Sequence, residues 1–128
     1  MVQSHESAIR KLMSRYPDIH TLIFASRSAL KAAFPGIQEE ADLKAGLISY
    51  NYGPGYKGVV ATLILSKSGV KIGIPYGAAL KDPCGLLQGK GKVHRHIVIT
   101  SPARLKQADV RSLLLACLEA WERRSQGV

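Results

Sequence analysis

Apolar and polar positions along this chain follow two different periods, and the changes of period mark out its elements. Ile9, Leu12, Met13 and Tyr16 recur at i, i+3, i+4 and i+7, the stripe of an amphipathic helix over residues 4–16. Pro17 ends it, and Asp18 is placed to cap the next helix, because its carboxylate can accept from the free amides of a first turn. Leu22, Ile23, Ala29, Leu30, Ala33 and Phe34 carry that second helix as far as Pro35 and Gly36. Three segments rich in β-branched and aromatic residues follow, over 47–52, 57–66 and 70–76. The connections Gly53-Pro54-Gly55 and Lys67-Ser68-Gly69 are short enough to make antiparallel hairpins the economical pairing.

Within the third of these, Val70, Ile72 and Ile74 alternate with Lys71 and Gly73, so one face is buried and the other is wet. The second is apolar at almost every position, which predicts a central strand covered on both faces or nearly so. Residues 93–100 supply a fourth strand and Ser101-Pro102 breaks it. Val110, Leu113, Leu114, Cys117, Leu118 and Trp121 then mark a terminal helix whose wet side carries Arg111, Glu119, Glu122 and Arg123. The order α-α-β-β-β-loop-β-α predicts a single α+β domain over residues 1–128: an antiparallel sheet of about four strands, two helices before it and one after it.

Size and composition agree with one folded domain. The chain has 128 residues, 46% apolar and 21% charged, which sets it apart from disordered and fibrous classes. Its apolar stretches, among them residues 59–65 with only Thr62 interrupting, are far short of the roughly 20 residues that span a bilayer. The N-terminal residues mix His5, Glu6, Arg10 and Lys11 among apolar ones and do not read as a secretory signal, so the expected compartment is the cytoplasm. Cys84 and Cys117 are distant in sequence and lack C-x-x-C spacing, which points to neither a zinc ribbon nor a redox dithiol. A net charge of +9 favours anionic partners, among them phosphorylated metabolites, nucleic acid and acidic proteins, with a solubilising surface as the plainer explanation.

The chemistry collects in residues 77–100. Gly77, Gly85, Gly89 and Gly91 free the backbone there, and Lys81, Lys90 and Lys92 are opposed only by Asp82. Amides around Gly89, Lys90, Gly91 and Lys92, with Arg95 nearby, make a candidate anion site. The Walker pattern fails: Leu86 stands at its first glycine and Val93 at the hydroxyl that would hold magnesium. His94 and His96 lie two apart on a predicted strand, which puts both imidazoles on one face and makes them candidate metal ligands; solvent-facing polar alternation is the plainer explanation. Arg95 then points with Ile97 and Ile99, and Asp82 is its candidate partner. Tyr50, Tyr52 and Tyr56 flank the Gly-Pro-Gly turn; Tyr50 and Tyr52 could stack nucleobases or pack on the helices. Glu39, Glu40 and Asp42 form an acidic run read as a solvated loop, with a cation site as the sharper alternative. No nucleic-acid-binding motif, no G-x-S-x-G and no H-E-x-x-H is present.

The string Gly77-Ala78-x-Leu80-x-Asp82-Pro83-x-Gly85-Leu86-Leu87, continued by Gly89, Gly91-Lys92 and Arg95 and preceded by Tyr52-Gly53-Pro54, resembles the YdhG-like family of small bacterial domains. The likeness runs from about Pro35 onward. It implies an α+β domain with an antiparallel sheet and flanking helices, and it brings no established catalytic residues. Some relatives are described as frataxin-like iron chaperones, a role that depends on an acidic surface; here Glu39, Glu40 and Asp42 are all that a chain of +9 offers. The expectations are therefore a binding domain for a small anionic or phosphorylated ligand at residues 85–96, with no cofactor, or else an iron carrier, or a homodimer built on an exposed strand edge.

Overall fold

The computed structural model describes residues 5–127. Helix α1 (His5–Met13) and helix α2 (His20–Ala33) precede an antiparallel sheet of β1 (Gln38–Asp42), β2 (Leu47–Asn51), β3 (Val59–Ser66), β4 (Gly69–Ile74) and β5 (Arg95–Ile99), and helix α3 (Ala108–Gly127) closes the chain. The five strands lie in sequence order, β1-β2-β3-β4-β5, each antiparallel to its neighbours. The class is α+β, as the alternation of periods predicts, with five strands where four are expected.

The extra strand is the acidic run. Alternate charges have low strand propensity and read as solvated loop, but in the fold every second residue of β1 turns inward: Glu39 pairs across to Tyr50 and Ala41 to Ile48. Arg27 on α2 is the reason an acid can point that way. Its Nε and Nη2 donate to Glu39 Oε2 and Oε1 at 2.9 Å each. Asp42 holds the following turn, accepting from the Ala45 amide at 2.9 Å through its side chain, and Gly46 adopts φ +73 there.

Two helix boundaries also differ from the periodicity. Ser4 lies outside the described residues, and α1 stops at Met13, three residues before Tyr16. The residue before a proline disfavours the helical region, and Tyr16 sits at φ −132, ψ 62. Asp18 falls inside a short 3-10 turn (Pro17–Ile19), so Ile19 rather than Asp18 precedes α2, without a side-chain cap.

One core fills the space between the helices and the inner face of the sheet. Ile48, Leu63, Ile72, Ile97 and Ile99 are fully or almost fully buried on that face, against Leu12, Ile23, Leu30 and Phe34 from the N-terminal half and Val110 and Leu114 from α3. Burying a side chain of this size contributes about 1.5–3 kcal/mol, so a score of them outweighs any single polar feature. Cys117 belongs here too; burial pushes its thiol up to about 12, which leaves it unreactive.

The outer face is open. β3 is central, as expected, but Thr62 and Ile64 on its outer side are half-exposed. Register carries two rows across this face: Glu40, Ser49, Thr62, Gly73 and His96 in one, and Asp42, Leu47, Ile64, Lys71 and Val98 in the other. Both rows begin with an acid on β1, and basic side chains follow on β4 or β5.

Candidate functional site

Three loops and the end of α3 meet at one end of the sheet. The loop from β2 to β3 folds tightly, with a Cβ on Gly58 falling 2.3 Å from the Gly53 carbonyl oxygen. That close approach, possible because Gly58 has no side chain, leaves Tyr56 facing outward, 54% exposed. Trp121 braces the loop from α3: its ring lies 5.0 Å from Tyr52, and its Nε1 donates to the Lys57 carbonyl at 2.9 Å. Tyr52 in turn donates to the Pro35 carbonyl at 2.8 Å.

After β4 the chain turns at Tyr76, which sits in the left-handed region at φ 57, the one such residue besides glycines among those described. A tyrosine there costs on the order of 1 kcal/mol. The next residue must be small, since a Cβ on Gly77 would lie 2.8 Å from the Arg95 Cβ. The twist turns the Tyr76 ring, 41% exposed, toward Tyr56 and His94. The rings of Tyr56 and Tyr76 are 6.4 Å apart, Tyr56 and His94 6.0 Å, and Tyr76 and His94 5.6 Å, all edge to face. The Arg124 guanidinium lies 4.6 Å from the Tyr76 ring.

His94 organises the cluster. The backbone N–H of Tyr76 donates to its Nδ1 at 3.1 Å, so the neutral ring carries its proton on Nε2 and donates that to the Tyr56 hydroxyl at 3.0 Å. Tyr56 thus accepts from His94, and its own hydroxyl proton stays available for an acceptor outside the protein. Burial, then the neighbouring Tyr76, pushes the Tyr56 phenol above its usual value and keeps that proton in place.

The glycine-lysine loop lies alongside. Gln88 pairs with His96 through two backbone bonds, 2.7 and 3.0 Å, and covers the free edge of β5 there. Gly89, at φ +114, packs on the His96 ring, and a Cβ on Gly91 would lie 2.9 Å from the His94 carbonyl oxygen. These contacts hold the backbone of the glycine-lysine loop beside His94 and His96, with Lys90 and Lys92 both exposed. The turn leading in is held by Asp82, which accepts from the amides of Leu86 and Leu87 at 2.9 and 2.8 Å, with Gly85 at φ +66. Asp82 is therefore a turn cap and not the partner of Arg95; Arg95 donates weakly to the His94 carbonyl at 3.5 Å. Among the described residues, no carboxylate pairs with Lys57, Lys90, Lys92, Arg95 or Arg124.

The structure separates the other candidates. Tyr50 is fully buried, its hydroxyl donating to Glu39 at 2.7 Å, so it has no ring face to offer a nucleobase; Tyr52 is half-buried on Trp121. Inward parity on β2 decides this, because Tyr50 alternates with Ile48. His96 sits on the outer face of the sheet, whereas His94 precedes β5 and is engaged at both nitrogens, so an ion shared by the two would have to displace the Tyr76 and Tyr56 bonds. Burial, and then Lys71, lowers the His96 imidazole below its ordinary value. No group of three or more His, Cys, Asp or Glu side chains that could hold a metal occurs among the described residues. Glu39 is held by Arg27, with Lys31 at 3.3 Å.

Tyr76 and Arg124 escape a linear reading, since 48 positions separate them. The available signal is Pro75-Tyr76-Gly77, a turn in which an aromatic is flanked by the two strongest turn residues. A cleft of about 570 Å³ beside β1 and β2, and one of about 250 Å³ near Pro17, are lined by other residues. No helix among the described residues is long and apolar enough to cross a membrane. Comparison with protein-family models, with curated proteins and with solved structures gives no match for the chain.

Proposed function

We propose that this chain is a binding domain of the YdhG-like type, without catalytic residues of its own, that takes a small phosphorylated anion carrying a planar ring. The anion sits at residues 85–96 and the ring on the exposed Tyr56 and Tyr76. The observation that carries the reading is the hydroxyl of Tyr56, which accepts from His94 and so has a proton left to give, in a cluster that includes the Arg124 guanidinium, which no carboxylate among the described residues pairs with. A charge-assisted bond to a phosphate oxygen is worth about 1.5–3 kcal/mol, and stacking a base on an aromatic about 1–3 kcal/mol. An open site with these contacts supports affinities from about millimolar to micromolar. The string from Gly77 to Arg95 supports the family placement, and an exposed, unpaired Cys84 fits a reducing compartment such as the bacterial cytoplasm.

Titration of labelled protein with inorganic phosphate, adenosine and adenosine monophosphate, followed by amide NMR, tests this directly. Adenosine monophosphate should shift the amides of Tyr76 and of residues 89–95 at lower concentration than either fragment. Undisturbed spectra at millimolar concentrations of all three would remove the reading. Stoichiometric uptake of ferrous iron in the same preparation would replace it with the metal-carrier alternative.

A further inference from the structure

The outer face of the sheet is half-exposed and polarised, and the cleft of about 570 Å³ indents its β1–β2 side among Glu40, Asp42, Leu47 and Ser49. Acids stand at one margin, Glu40 and Asp42 on β1; Ile64 and Thr62 lie at the centre on β3; Lys71 and His96 stand on the opposite half. Strands are spaced by about 4.8 Å, so the margins are roughly 19 Å apart across five strands. A polarity of this kind has a self-complementary solution. Rotate a second copy by half a turn about an axis that runs along β3 in the plane between two facing sheets. Each β1 then comes over the other copy's β5, and each β3 faces β3. Glu40 of one copy lies over His96 of the other, Lys71 reaches between the other copy's Glu40 and Asp42, and Ile64 meets Ile64 on the axis. The like-charged alternative, with β1 over β1, sets acid against acid. We infer that this face is the contact of a symmetric homodimer, closed by a single twofold axis.

The partner is a second copy because the pattern is its own complement: the carboxylates of Glu40 and Asp42 lie to one side of Ile64, and Lys71 with the His96 imidazole lies to the other as their hydrogen-bonding partners. A helix-lined groove or a uniformly charged ligand would match only half of it. The strand edges compete poorly for this role. Gln88 covers the free side of β5 at His96, and α1 packs against β1. Five strands about 17 Å long give a projected face of roughly 400 Å², so the pair buries on the order of 1,000 Å² once side-chain relief is counted. That lies at the low end of specific interfaces and predicts a reversible dimer of moderate affinity.

Salt is a poor probe, because it screens both these pairs and the repulsion of two chains of +9. Charge reversal separates them. Sedimentation equilibrium of the full chain from micromolar to millimolar concentration should show a reversible monomer–dimer equilibrium. Lys71→Glu should weaken it by about tenfold, since symmetry breaks each contact twice. Ile64→Glu should leave monomer only, with circular dichroism to confirm folding; if that variant does not fold, the exposed Lys71 still decides. Glu40→Lys combined with Lys71→Glu should recover most of the lost affinity. A wild-type chain that stays monomeric at millimolar concentration overturns the proposal. So does a dimer indifferent to Lys71→Glu, or a double variant as weak as Lys71→Glu alone.

Discussion

Two tyrosines, each hydrogen-bonded to an ionisable neighbour, show how differently this fold uses the same side chain. Tyr50 is fully buried and donates to Glu39, whose oxygens also take Arg27 in a bidentate pair; the side chains of Arg27 and Glu39 are 7% and 8% exposed. Glu6 adds a second carboxylate to the same guanidinium at 2.9 Å. Every polar atom there has a partner inside the protein, so the assembly fastens α1, α2 and β1 to each other and leaves nothing for a ligand. Tyr56 accepts instead of donating, is more than half exposed, and belongs to a cluster whose neighbours include cations without counterions. A satisfied buried network makes structure, whereas a network that ends on an unused donor at the surface still has a hydrogen bond to offer, which is what the proposed binding requires.

The largest expected effect breaks the first of these. Glu39→Ala leaves Arg27 with only Glu6 in a nearly dry site, and should cost about 3–5 kcal/mol in urea unfolding; a loss below about 1 kcal/mol would show that the pair is incidental. Acid should reach the same place. Burial pushes the Glu39 carboxyl up, but the hydrogen bonds from Arg27 and Tyr50 and the charges of Arg27 and Lys31 outweigh it and bring it below the ordinary 4.5. Its folded value is thus the lower one. The stability it supplies is present above about pH 4.5 and is lost as pH falls through the folded value, a loss that Glu39→Gln should blunt in a comparison of midpoints.

Tyr50→Phe removes one bond to a carboxylate and should cost about 1.5–3 kcal/mol. Tyr76→Gly sharpens the contrast from the other side. It relieves the left-handed strain, so thermal stability should hold or rise by about 1 kcal/mol, while the response to adenosine monophosphate is lost. Equal binding by that variant would place the ring outside the site. Tyr56→Phe should change stability by less than about 0.5 kcal/mol yet weaken the phosphate-dependent shifts.

The same contrast shows where a linear reading stops. Residues 89–96 stand out because glycine, lysine and histidine carry recognisable chemistry at any position, whereas among the tyrosines the sequence singles out Tyr50 and Tyr52 and the exposed ones are Tyr56 and Tyr76. Tyr50 was equally visible as a tyrosine, but whether it faced a ligand or the core depended on which side of β2 met the helices. β1 was invisible for a related reason. Gln-Glu-Glu-Ala-Asp has the composition of a loop, and it becomes a strand because Arg27, twelve positions earlier, neutralises the one acid that must point inward.

The amino-acid order alone determined the elements with strong periods: α2, α3 and strands β2 to β5, together with the α+β class, since burial of an apolar stripe or alternation is a local demand that few folds satisfy. Tertiary structure decided what the local pattern leaves degenerate: the fifth strand, the inward turn of Tyr50, the capture of Asp82 by its own loop, and the meeting of Tyr56, Tyr76, His94 and Arg124. Each of these depends on contacts between residues distant along the chain. Their energy is gained only when the chain closes on itself, and no window of neighbouring residues contains it.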